Sequence, residues 1–480
     1  MQRQKYDLII VGTGFASTFF LHNYLNKLSD SARILILERG KRGSHQWRIK
    51  SRKRMQKHGV VSSIDYAKTY INTNRSKDWV YSPAFGGGSN CWWAATPRFH
   101  PSDFRLKTKY NVGVDWPIDY DELEAYYDQA ERIMSISGES NTFFKRSRAY
   151  PQEPHNISKF DQLLRDRFGD LYFAQPCARP TEATDNRKSC CASGVCNLCP
   201  VDAKFTIENE LSTLYDDQRI ELLTSAYVSK LETKNEIVTG VVFQQEGKTI
   251  EAEAELVVLG ANAIFNPYIM QRSGMAHPLL GKGLTEQISV TAEVLLDGVD
   301  NFQGSTSHTA HGYMLYDGRH REEAGACLIE SSNIPKLRLE KGKHRQIAYF
   351  KLIVENLPEA KNQISSTRRK PKLIYESHSE YGLKGIERAK LEFEKLLQRF
   401  PIEKVSFSSE IAPTESHILG TTIMGDDPKS SVIDKDLVHH KYRNLLVLGG
   451  GAFPTISPAN PTLTICALSL RAAKKLGGIA

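Results

Sequence analysis

The chain opens KYDLIIVGTGFASTFFLHNYL, a strand, a glycine turn and a helix in that order, and few folds accommodate such a start. Tyr6 to Val11, apolar from Leu8 onward, reads as a buried parallel strand. Gly12 permits the tight turn, and Gly14 lets a second backbone or a pyrophosphate come close. The helix behind them presents free N–H groups and a positive dipole end, which favour negative charge. Ser17 takes the third small position, where Gly or Ala is usual. A second strand, Ala32 to Leu37, ends at Glu38, whose carboxylate can accept both hydroxyls of an adenosine ribose and would repel a 2′-phosphate. These residues predict an adenine-dinucleotide site. They leave FAD and NAD open, with Glu38-Arg39-Gly40 favouring FAD.

At 480 residues the chain suits two intimately joined domains rather than one core. No apolar run approaches the roughly 18–20 residues of a membrane helix. Because Tyr6 to Gly14 is already strand and turn, no secretory leader is expected. The expected location is the cytoplasm, with export alongside a partner subunit as the alternative. Net charge is +8, but the basic runs Lys50 to Lys57 and Arg368 to Lys372 are short and read as solvated surface, so a nucleic-acid partner is not expected. Of eight cysteines, Cys190, Cys191, Cys196 and Cys199 crowd one loop, while Cys91, Cys177, Cys327 and Cys466 are scattered. That distribution is unlike the disulfide framework of a small secreted domain.

Further segments recur in a fixed order. They include FGGGSNCWWAATPRF (Phe85 to Phe99), WPIDYDELEAYYDQAERIMSISG (Trp116 to Gly138), AYVSKLE (Ala226 to Glu232), LGANAIFNPYIMQRSG (Leu259 to Gly274) and VENLPEAKNQI (Val354 to Ile364). The close is HILGTTIMG, then NLLVLGGGAFPTISPANPTLTI. With its VGTGFAS…LERG start, the chain resembles the glucose–methanol–choline (GMC) oxidoreductases, and within them the pyranose oxidase and bacterial sugar dehydrogenase branch. The resemblance implies a discontinuous α/β, Rossmann-like FAD domain plus an α+β substrate domain with an antiparallel sheet. The expected boundaries are 1–105, 190–290 and 411–480 for the first, 106–189 and 291–410 for the second, with a cysteine-rich loop at 186–206.

The resemblance also assigns roles. His417 is the expected base for the substrate hydroxyl, a task that suits a neutral imidazole near pH 7. Asn460 is its expected partner, hydrogen-bonding that hydroxyl; Asn460-Pro461 also reads as an N-cap followed by Pro at the first position of a helix Thr462 to Leu476. FAD contacts are implied for Gly12, Gly14, Phe15, Ala16, Glu38, Arg39, Gly87, Gly88, Ser89, Asn90, Cys91, Val228, Gly260, Gly450, Ala452, Asn460, Pro461 and Thr462. Where pyranose oxidases carry a flavin-linked His, this chain has Cys91, so the FAD is expected to be non-covalent.

The cysteine loop resembles that of sugar dehydrogenase catalytic subunits, some of which hold an iron–sulfur cluster. A [3Fe–4S] or [4Fe–4S] cluster on Cys190, Cys191, Cys196 and Cys199 is the expectation, against zinc or free thiols. The leading function is a dehydrogenase acting on a sugar, glycoside or polyol and passing electrons to an acceptor protein or small partner subunit. An oxygen-using oxidase and a catalytically silent electron-transfer subunit are the alternatives. A helix Leu383 to Arg399 is expected to bury Leu391, Phe393, Leu396 and Leu397. His308, His311, His320 and His378 are assigned to polar loop surface.

Overall fold

The protein is described by a computed structural model covering residues 4–477, apart from Asn141, Gln303 and Pro335. Its first layer is a seven-stranded sheet. The order is Ile220–Leu223, Ile34–Leu37, Gln4–Val11, Lys248–Leu259, Ile237–Gln245, Tyr227–Lys234, with Leu445–Val447 pairing parallel to the far end of Lys248–Leu259. The strands around Gln4–Val11 pair parallel, and Leu8, Ile9 and Ile34 to Leu37 are all but inaccessible, as strands covered on both faces are. Helix Phe15–Tyr24 packs against the C-terminal helix Thr462–Lys475, which also meets Tyr120–Ile133. Chain start and chain end therefore build one wall.

A second sheet of six antiparallel strands runs Ile402–Phe407, Ile288–Leu296, Ile347–Val354, Cys327–Ser332, His308–Gly312, Tyr172–Ala174. Helix Glu380–Leu397 covers one face through Ile386, Ala389, Phe393 and Leu397. Leu391, expected in that stripe, is 61% exposed: only one turn-to-turn line of this helix can meet the sheet, and Leu391 lies off it. His308 and His311 are not loop residues either; both sit on strand His308–Gly312, and His311 is fully buried.

Glu286 and Gln287 pass from the first layer to the second, immediately ahead of strand Ile288–Leu296, and neither side chain is accessible. Among the described residues no helix is long and apolar enough to cross a membrane.

Candidate active site

Between the two sheets lies a cavity of about 790 Å³. One end is the opening turn. Gly12 has φ +94°, and a Cβ there would lie 2.7 Å from the Gly260 carbonyl oxygen, so the turn and the end of strand Lys248–Leu259 close on each other only through glycine. A Cβ on Gly87 would sit 2.9 Å from the Gly14 Cα. Gly14 holds the capping position of helix Phe15–Tyr24 and has no side chain with which to bond the free N–H groups of its first turn. A cradle with no room for a Cβ beside an uncapped helix end fits a dinucleotide pyrophosphate.

Glu38 lines this end and is braced from within the fold. One oxygen accepts from Thr13 N (3.1 Å) and Thr13 Oγ1 (2.7 Å), the other from Gly40 N (2.7 Å). Burial pushes its pKa up, and these bonds oppose that shift. Arg39 lays its guanidinium over the Tyr227 and Phe265 rings. Phe15, Ala16, Gly87, Gly88, Cys91, Val228, Gly260, Gly450, Asn460, Pro461 and Thr462 also line the cavity. Ser89, Asn90 and Ala452 stand behind the lining. Ser89 Oγ accepts from Ile207 N and donates to Gly86 O, and Asn90 Nδ2 donates to Phe85 O, so both shape the turn from its far side. Burial raises the Cys91 thiol, which stays protonated beside the cavity.

Midway along the cavity stand His417 and Asn460. The imidazole Nδ1 lies 3.1 Å from Gln287 Oε1, and the His417 backbone N–H donates to Glu286 Oε2 at 3.2 Å. Burial lowers the His417 pKa to about 4, so the ring is neutral at pH 7. Asn460 does not cap the terminal helix. Pro461 holds the capping position with helical φ/ψ and the helix begins at Thr462, which leaves the buried Asn460 Oδ1 without a protein partner. An unpaired amide oxygen on a residue that lines the same cavity as a neutral imidazole is a candidate ligand-directed group.

The far wall comes from the antiparallel sheet and includes Thr291, His308, Glu330, Tyr349 and Lys351. Glu330 and Lys351 are register partners on adjacent strands. Lys351 Nζ reaches Glu415 at 2.7 Å, and Glu415 also accepts from Ser289. Burial would discharge Lys351, but Glu415 and Glu330 outweigh it and hold the ammonium above its usual range. Burial would likewise raise Glu330. His308, His311 and Lys351 overcome that and keep it well below the usual carboxylate range. Gln175 Nε2 adds a 2.7 Å bond to the same carboxylate. Sequence reasoning missed this wall: its polar residues carry no local signature, and only register sets them together.

The cysteine loop stands apart from the cavity, which it touches only through Asn197. Among the described residues, no three His, Cys, Asp or Glu side chains form a group able to hold a metal ion. Cys191 is exposed, Cys190 is half-buried, and Cys196 and Cys199 are buried. With the four thiols not gathered into such a group, these residues as arranged do not fit the expected iron–sulfur cluster.

Family models described as GMC oxidoreductase match residues 6–289 and 383–469. The chain belongs to the GMC oxidoreductase family, and is thus an FAD-binding oxidoreductase acting on CH–OH groups. It is 26% identical to the fructose dehydrogenase large subunit of Gluconobacter japonicus, over 97% of both chains. It is also 26% identical to the 2-methyl-1,2-propanediol dehydrogenase of Mycolicibacterium austroafricanum, over 80% of this chain and 79% of that one. The crystal structure of pyridoxine 4-oxidase from Mesorbium loti superposes with a TM-score of 0.69 at 15% identity, covering 99% of this chain and 100% of the other; that likeness is one of fold.

Proposed function

We propose that the protein is a dehydrogenase that oxidises an alcohol group of a sugar or polyol and delivers the electrons to an external acceptor, which a partner subunit can provide. When bound, FAD supplies the acceptor for the hydride leaving the carbinol carbon, and Gly12, Gly14, Gly87, Gly88 and Glu38 would hold it. His417, neutral and facing the cavity, takes the hydroxyl proton, and Asn460 orients that hydroxyl through its unpaired amide. Closure of the two sheets over this pair keeps bulk water from competing for the proton.

The observation that carries the reading is the meeting in one cavity of His417 and Asn460 with the buried, ionised Glu330–Lys351–Glu415 wall. An apolar alcohol would offer those charged groups no hydrogen bond across the cavity, whereas vicinal hydroxyls can bond to them. The names of the fructose and propanediol dehydrogenases among the relatives support the dehydrogenase reading.

The test is anaerobic mixing of the FAD-loaded protein with ketoses, aldoses, polyols and simple alkanols while flavin absorbance is followed. A polyhydroxylated compound should bleach the flavin, and His417→Ala should slow bleaching by about 10²–10⁴-fold with FAD still bound. Reoxidation by dye or quinone should be much faster than by oxygen. Bleaching by alkanols alone would overturn the substrate class, and rapid peroxide formation in air would overturn the dehydrogenase assignment.

A further inference from the structure

His417 has two ring nitrogens, and only one can serve as a base in the neutral ring. Which one is free depends on what its neighbour at Nδ1 can do. That neighbour is Gln287, and its own bonds leave it no choice. Its amide lies with one end 2.8 Å from Ser457 O and 2.9 Å from Ala459 O. Both are backbone carbonyls, which only accept, so the amide end facing them must be the NH₂. The other end, Oε1, can only accept, and it lies 3.1 Å from His417 Nδ1. The proton of the neutral ring therefore sits on Nδ1, and Nε2 keeps its lone pair.

The same amide grips the backbone at Ser457 and Ala459, directly ahead of Asn460. One fully buried side chain thus braces both members of the pair, and the strand Ile288–Leu296 that follows anchors it. We propose that Gln287 is the positioning residue of this active site, setting the His417 tautomer through Oε1 and the Asn460 approach through Nε2. This rests on the reading of His417 as the base. The charged groups around the imidazole are Glu415, Lys351 and Glu330 from the cavity wall and the Glu286–Lys77 pair behind its backbone; none of them bonds Nδ1.

Two variants separate this role from mere packing. Gln287→Met keeps the length and removes both functions. Gln287→Glu keeps an acceptor for Nδ1–H, gives up the donors to the two carbonyls, and adds negative charge that favours the imidazolium. The readout is the pH profile of flavin reduction by substrate in stopped flow, with FAD content and thermal midpoint measured alongside. The Met variant should lose at least tenfold in rate with FAD retained. The Glu variant should recover part of that loss, and its low-pH limb should move upward by about one unit. Equal losses in both variants with the limb at the parental pH would mean a packing role only and overturn the proposal, as would an unimpaired Met variant. If the Met variant does not fold, the position of the limb in the Glu variant decides. His417→Ala is run in parallel: a fast His417→Ala enzyme refutes the base assignment itself, whereas a dead one beside an unshifted Glu variant refutes only the role of Gln287.

Discussion

Replacing Lys77 by Met tests how the active site is held from behind. Lys77 is 3% exposed and, among the described residues, its carboxylate partner is Glu286, which is fully buried. Glu286 in turn accepts from the His417 backbone N–H and from Thr414 Oγ1. Removing the cation leaves a buried carboxylate with two neutral donors, a change that costs about 3–5 kcal/mol. The loss should depend on pH in a defined sense. Burial already raises the Glu286 pKa, with Lys77 the main opposing influence, so the variant raises it further. A carboxyl whose folded pKa lies above its unfolded value imposes no penalty where both states are protonated, below about pH 4. The penalty then grows by about 1.4 kcal/mol per pH unit up to the folded pKa. Urea unfolding of the FAD-saturated protein at pH 5 and pH 8 should show the larger deficit at pH 8. Lys77→Met/Glu286→Gln should regain most of it, because the amide carries no charge to desolvate. A deficit below about 1 kcal/mol, or an equal one at both pH values, would refute the reasoning.

The His417 pKa of about 4 sets the acid limb of catalysis: kcat/KM for flavin reduction should be level from about pH 5 upward and fall tenfold per unit below about 4, since the imidazolium cannot take a proton. A limb near 6.5 would mean that the ring is solvated. Gly12→Ala combines a φ of +94° with a Cβ 2.7 Å from Gly260 O, so FAD affinity by fluorescence titration should fall at least tenfold; unchanged affinity would refute the close approach of turn and strand. Protein purified without oxygen should show flavin absorption without stoichiometric iron or acid-labile sulfide, and finding both would refute the reading that the four loop thiols are not gathered into a cluster site.

Local sequence carried the parts of this protein whose cause is local. The apolar run Leu8 to Val11, the two glycines after it and the carboxylate closing the next strand point to a parallel sheet and a phosphate turn without reference to the remaining chain. His417 and Asn460 were legible because they stand in extended motifs. The capping role read for Asn460 failed because a side chain before a Pro–Thr helix start looks the same whether it caps or faces a cavity; the structure places the cap at Pro461. Leu391 failed for a related reason, since periodicity marks an apolar stripe but not how far a sheet reaches around it.

The rest is tertiary. Glu330 and Lys351 face each other only through the pairing of strands Cys327–Ser332 and Ile347–Val354. Read along the chain, a buried charged residue cannot be told from a solvated one, because burial is a property of the partner strand. Gln287 matters because three distant backbone and ring atoms converge on one amide. The cysteine spacing takes its meaning from burial, which exposes Cys191 and buries Cys196 and Cys199. The sequence by itself determined the glycine turn and the family, since each is written in short contiguous motifs. Which polar side chains are desolvated, paired and aimed at the reacting atoms was decided when the two sheets closed, because desolvation and hydrogen-bond geometry exist only between segments brought together.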